Sequence, residues 1–182
     1  MTRRSFVFLI GGFAAAQIVK PRIGYMVDRK GCLRGVDGLA GAFTISEPLQ
    51  QNVLSAAFSG RVLVVKHPEQ IRIDERLLEA PPGPATVVFD GQGNATEIFF
   101  PEAGVLWTWT GDSYNATRAY DVICDVYIRE GELIVNGVPV RITNQPKLVS
   151  QLGEGWLVVY TAEATYAVRG EQVFELPEVT EE

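Results

Sequence analysis

Residues 54–73 read LSAAFSGRVLVVKHPEQIRI, and they lie without a gap over residues 149–168, VSQLGEGWLVVYTAEATYAV. Ser55 falls on Ser150, Gly60 falls on Gly155, and an aliphatic run follows each glycine. The two runs close with LLEAPP and VFELPE, one residue out of step. Each is a strand, a glycine turn, a strand, a polar turn, a strand and a proline-marked exit. EAGVLWTWTGDSY is read as the start of another such unit at Gly104. Repeats of this kind are small sheets that bury their faces only by stacking on their neighbours.

The rest of the chain has hardly any helical periodicity and reads as short apolar or alternating runs broken by Gly, Pro, Asn and Asp. AFTI, ATVVF, TEIFF, VICDVYI, TYAV and QVFEL are strand candidates. ELIVNGVPVRI is a hairpin on paper, because Asn136–Gly137 supplies the positive φ angles of a two-residue turn. Pro139 cannot donate to a ladder and marks an edge. Turns are expected at residues 29–31, 90–94 and 169–171, and APPGP at residues 80–84 joins two structural units.

The Gly-led strands GRVLVVK and GWLVVYT and the terminal ELP give this layout its character. It resembles β-propeller-like exported bacterial proteins of uncharacterised function, over roughly residues 23–177. The expected fold is therefore all-β, with short antiparallel strands in a small or partial propeller of about four blades within residues 17–177. A β-sandwich or an irregular barrel is the alternative that the same strand spacing allows. Bare sheet edges attract other chains. Either the strand at residues 23–27 completes the sheet containing residues 173–176, giving a monomer, or two copies meet edge to edge as a homo-oligomer.

The chain opens MTRRSFVFLIGGFAAAQ. Its Ser/Thr–Arg–Arg–x–Phe pattern, with Arg3, Arg4 and Phe6, resembles the twin-arginine export signal, although Phe8 stands where a lysine is common. A short apolar run follows, and Ala14 and Ala16 supply the small residues that a signal peptidase needs. Residues 1–16 are read as a removed export signal and the protein as periplasmic or secreted; the other reading is a first β-strand. Removing the leader takes two of the 16 basic side chains and none of the 22 acidic ones. The acidic residues 178–182 read as a solvated tail.

With 182 residues, 47% of them hydrophobic, the chain is not disordered, and its net charge of −6 argues against a nucleic-acid partner. No apolar run reaches the roughly 18–20 residues of a spanning helix, so no integral membrane span is expected.

Catalytic signatures are sparse. His67 is the one histidine, which supplies zinc, copper and a Ser-His-Asp triad poorly, and no metal or cofactor is expected. Ser59 lies in no nucleophile elbow. DGQGNATE offers Asp90, Asn94 and Glu97 as oxygen donors, but reads first as a hairpin turn. Cys32 and Cys124 are free thiols or, in an exported protein, a pair. Trp107, Trp109, Tyr114 and Tyr120 form the densest aromatic group. Trp107 and Trp109, two apart on a strand, share a face. On an outer face such rings stack on sugars or bases; on an inner face they are core. Two functions follow: a non-catalytic protein binding a partner protein or small ligand through its loops, or a propeller-type hydrolase or lyase using carboxylates.

Overall fold

The structure is a computed structural model that describes residues 20–119, 126–153 and 155–177. The leader with Arg3, Arg4, Phe6, Ala14 and Ala16 lies outside the described residues, as do Tyr120, Cys124 and residues 178–182.

Five antiparallel sheets follow one another along the chain, each made of sequence-adjacent strands. The first holds β1 (Arg22–Val27), β2 (Leu33–Leu39) and β3 (Ala42–Gln50). The second holds β4 (Ser55–Phe58), β5 (Leu63–Lys66), β6 (Gln70–Ile73) and β7 (Arg76–Glu79). The third holds β8 (Thr86–Phe89), β9 (Ala95–Phe100), β10 (Val105–Trp109) and β11 (Tyr114–Arg118). In the fourth are β12 (Val126–Arg129), β13 (Glu132–Val135) and β14 (Val138–Val140). The fifth has β15 (Leu148–Gly153), β16 (Trp156–Tyr160), β17 (Thr165–Arg169) and β18 (Gln172–Glu175). They are set in a ring like the blades of a five-bladed propeller, with first strands inward.

The repeated aliphatic run has a direct physical cause. It forms the second strand of its sheet, where both faces are covered. On β5, Val64 packs toward the third sheet with Ile71, Ile98 and Phe100, while Val65 packs toward the first with Val27, Leu33 and Ala56. On β16, Val158 joins the cluster with the first sheet and Val159 the cluster with the fourth. A strand buried on both sides reads as an unbroken apolar run rather than an alternating one. Each large side chain so buried contributes about 1.5–3 kcal/mol. Gly60 and Gly155 turn the chain into these strands at φ +93° and +76°.

Several local expectations hold. Val135 pairs with Val138 across Asn136 and Gly137, whose φ values are 51° and 77°. Pro139 sits on β14, an edge strand. The APPGP stretch links the second sheet to the third.

The five sheets are roughly compatible with the expected propeller of about four blades. Two expectations are corrected. Gly104 does not begin a unit: it turns β9 into β10, the third strand of a sheet that starts at β8, so the glycine marks a different turn from Gly60. Nor does residue stretch 23–27 complete the sheet of residues 173–176, because β1 pairs with β2 and β18 with β17.

The first and last sheets instead meet face on. Ile23, Met26, Val36 and Phe43 pack against Leu152, Trp156, Val158, Ala167 and Leu176. Phe43 and Trp156 meet edge to face at 5.5 Å between centroids. At the centre β1 lies directly on β15. A Cβ on Gly24 would overlap the Leu152 carbonyl, and one on Gly153 would overlap the Ile23 carbonyl. The Val27 N–H donates to the buried Tyr160 hydroxyl at 2.9 Å. Burial pushes that hydroxyl's pKa up to about 12, so it stays a neutral acceptor.

Beside this seam, Asp28 caps the turn into β2. It takes the Arg34 Nε–H at 2.6 Å and the Cys32 N–H at 2.8 Å, and places Cys32 half-buried in the turn. Burial alone would raise the Asp28 pKa, but these bonds outweigh it and hold the carboxyl below its usual range.

Replacing Gly24 by Ala should cost about 3 kcal/mol or more in urea unfolding, because rigid backbone fills the space. Gly60→Ala meets open space and only a strained φ, so about 1 kcal/mol is expected. Equal costs would contradict the face-on seam.

Candidate functional site

Successive hairpin turns of an antiparallel sheet fall at alternate ends. The β4–β5 and β6–β7 turns therefore share one end of the second sheet. The APPGP link carries the chain back at the other end, so the β8–β9 and β10–β11 turns rise beside them. Between these four turns lies a cleft of about 1000 Å³.

Its floor is fixed by Ser59. The Ser59 hydroxyl donates to the Gly93 carbonyl at 2.8 Å and accepts the Val62 N–H at 3.0 Å, which ties the turn of one sheet to the turn of the next. The serine set aside as a nucleophile is thus a fastener. Asp90 organises the opposite turn: Oδ1 accepts the N–H groups of Gln92 and Asn94, both at 2.8 Å, and Oδ2 accepts the Asn94 amide at 3.0 Å. The Asn94 side chain, then the backbone donors, hold the Asp90 carboxyl below its usual range. DGQGNATE is a hairpin turn whose carboxylate is spent on its own backbone. Asp74, on the β6–β7 turn, accepts the Leu63 N–H at 3.2 Å.

The aromatic wall comes from β10 and β11. Trp107 and Trp109 share a face, as their spacing requires, but the face runs from core to cleft. Trp107 packs edge-on against Phe100, 4.9 Å between centroids, in the cluster between the second and third sheets. Trp109 lies beyond that cluster and lines the cleft. Tyr114 joins them, with its ring centroid 5.0 Å from Trp109 and 6.0 Å from Trp107. Its hydroxyl donates to the Ala95 carbonyl at 2.6 Å, and burial raises its pKa. Of the four aromatics picked out in the sequence, the structure brings three together; Tyr120 is outside the described residues.

The polar wall was missed. Arg76, the first residue of β7, faces the same side as Ile73 and holds its guanidinium 5.5 Å from the Trp109 ring centroid. Arg61 stands by the Gly93 turn. The available signal was position: Asp74–Glu75–Arg76 falls where a polar turn feeds an edge strand.

The other candidates lie elsewhere. His67 Nδ1–H donates to the Asn52 carbonyl at 3.0 Å. Among the described residues no group of three or more His, Cys, Asp or Glu could hold a metal ion. The described carboxyls with displaced pKa values, Asp28 and Asp90, are both lowered, the direction that suits an acceptor rather than a general acid. No helix among the described residues is long and apolar enough to cross a membrane.

A scan against protein-family models, a search of curated proteins and a search of solved structures each find no match.

Ser59→Ala should cost about 1–2 kcal/mol, since it strands the Gly93 carbonyl and the Val62 N–H. Hydrogen exchange at Val62 should quicken more than at Val65. Unchanged exchange at Val62 would mean that the two turns are not fastened there.

Proposed function

We propose that the protein is exported by the twin-arginine route and works outside the cytoplasm as a non-catalytic binding protein, with the cleft between the second and third sheets holding its ligand. The observation that carries this reading is the pairing at the cleft mouth: a half-buried indole, Trp109, with a guanidinium, Arg76, laid over it. Binding sites combine apolar and aromatic surface with a few placed polar groups, and volumes of about 300–1,000 Å³ are usual. Loops on a rigid scaffold are where such sites occur. The carboxylates nearby support binding more than turnover. Asp90 is committed to its own turn, and Asp74 accepts from Leu63. Retaining and inverting glycosidases need one carboxyl of raised pKa beside an ionised one.

Thermal unfolding with a panel of soluble small ligands, run beside chromogenic ester and glycoside assays, tests this. A true ligand at 100 times its Kd adds about 2.7 kcal/mol and a clear rise in Tm. That gain should fall to about 1.8 kcal/mol in Arg76→Ala if the change weakens binding about fivefold, with no substrate turned over. Turnover abolished by Asp74→Asn or Glu75→Gln would replace the binding reading with the hydrolase one. For export, the intact mass of protein recovered outside the cytoplasm should lack residues 1–16, and a mass retaining them would remove the cleaved-leader reading.

A further inference from the structure

We infer that the ligand of this cleft is a neutral oligosaccharide. The inference rests on the cleft being the binding site, and four features of the lining select the ligand.

The first is the mixture of charge. Arg61, Arg72 and Arg76 line the cleft together with Asp74, Glu75 and Asp90, so its charges balance. A polyanion would meet three carboxylates on a chain of net charge −6, and a polycation would meet three guanidiniums. A ligand rich in hydroxyls meets neither penalty, because each hydroxyl both donates and accepts.

The second is that the donors stay available. Arg76 is held over Trp109 by its face rather than by a carboxylate, so its N–H groups keep free directions and its rotamers are already restricted. The Asn94 amide is fixed by Asp90. A ligand hydroxyl would find these donors already placed.

The third is the aromatic surface. A pyranose presents a face of C–H groups with hydroxyls around its edge. The half-buried Trp109 and Tyr114 offer apolar surface of that kind, bordered by the polar turns. A nucleobase would stack as well, but each nucleotide brings a phosphate into a lining whose three guanidiniums are offset by three carboxylates, on a chain of net charge −6.

The fourth is shape. A cleft of about 1000 Å³, at the top of the range for small-ligand sites, holds several linked sugar rings rather than one.

The test uses the full mature chain and isothermal titration with hexasaccharides of β-1,4-linked glucose and of β-1,4-linked N-acetylglucosamine. A galacturonate hexasaccharide and a single-stranded DNA hexamer serve as charged comparisons, and tryptophan fluorescence is read in parallel. At least one neutral hexasaccharide should bind with a Kd below about 1 mM. That affinity should barely change when salt is raised, since no ion pair forms. It should weaken about tenfold or more in Trp109→Ala and about fivefold in Arg76→Ala, while Trp109→Phe keeps most of it. Arg76 is exposed, so its change reports on binding even if Trp109→Ala unfolds the protein.

Failure of both neutral sugars to bind at about 10 mM would overturn the inference. Binding confined to the galacturonate or DNA hexamer, steeply salt-dependent and lost in Arg76→Ala, would overturn the neutral sugar and leave the cleft standing. A sugar that binds with no response to either cleft change would overturn both.

Discussion

The ring depends on two strands lying against each other with nothing between them. Where β1 crosses β15, Gly24 meets the Leu152 carbonyl and Gly153 meets the Ile23 carbonyl, so neither position tolerates a side chain. A propeller whose first and last strands share a sheet gains closure from ladder hydrogen bonds. Here the first and last sheets remain separate. Closure comes from this backbone contact, the Val27–Tyr160 hydrogen bond and the cluster around Phe43, Trp156 and Leu176.

Most of the architecture was legible because burial on two faces writes itself into the sequence. VLVV and WLVV are unbroken because sheets lie on both sides of β5 and β16, and their glycines mark the turn before them. The Asn136–Gly137 hairpin was legible because two successive positive φ angles leave few residue choices. β2 escaped notice for the opposite reason. Its LRGVDGL carries glycines at positions 35 and 38, which weaken strand periodicity; Gly35 leaves room for the Arg22 guanidinium, and Gly38 adopts φ +124° in close contact with Ala42. The sheet count was legible only as about four, because the first and fourth sheets do not carry the Gly-led run. Closure was misread because face-on contact needs only two absent side chains, and a glycine in sequence does not say what lies above it.

The site was half legible. Period two put Trp107 and Trp109 on one face, but a single strand cannot say where along that face the core stops. It stops between them: Phe100 covers one ring and Arg76 lies over the other. The Arg76 that lies over Trp109 comes from the neighbouring sheet, so its arrival depends on how two sheets pack and on Ser59 tying their turns together. Fold and site therefore share one cause. Four turns converge because the linker resets the strand direction, and the Ser59 hydroxyl ties two of them together.

Closure is tested most directly by proton NMR of the folded chain. The face-on seam predicts nuclear Overhauser contacts from the Gly24 α protons to Leu152 and Gly153, with the β18 amides contacting β17 and no part of β1. Amide-to-amide contacts between residues 23–27 and 173–176, with none at Gly24 to Leu152, would show a shared closing sheet and contradict the ring described above.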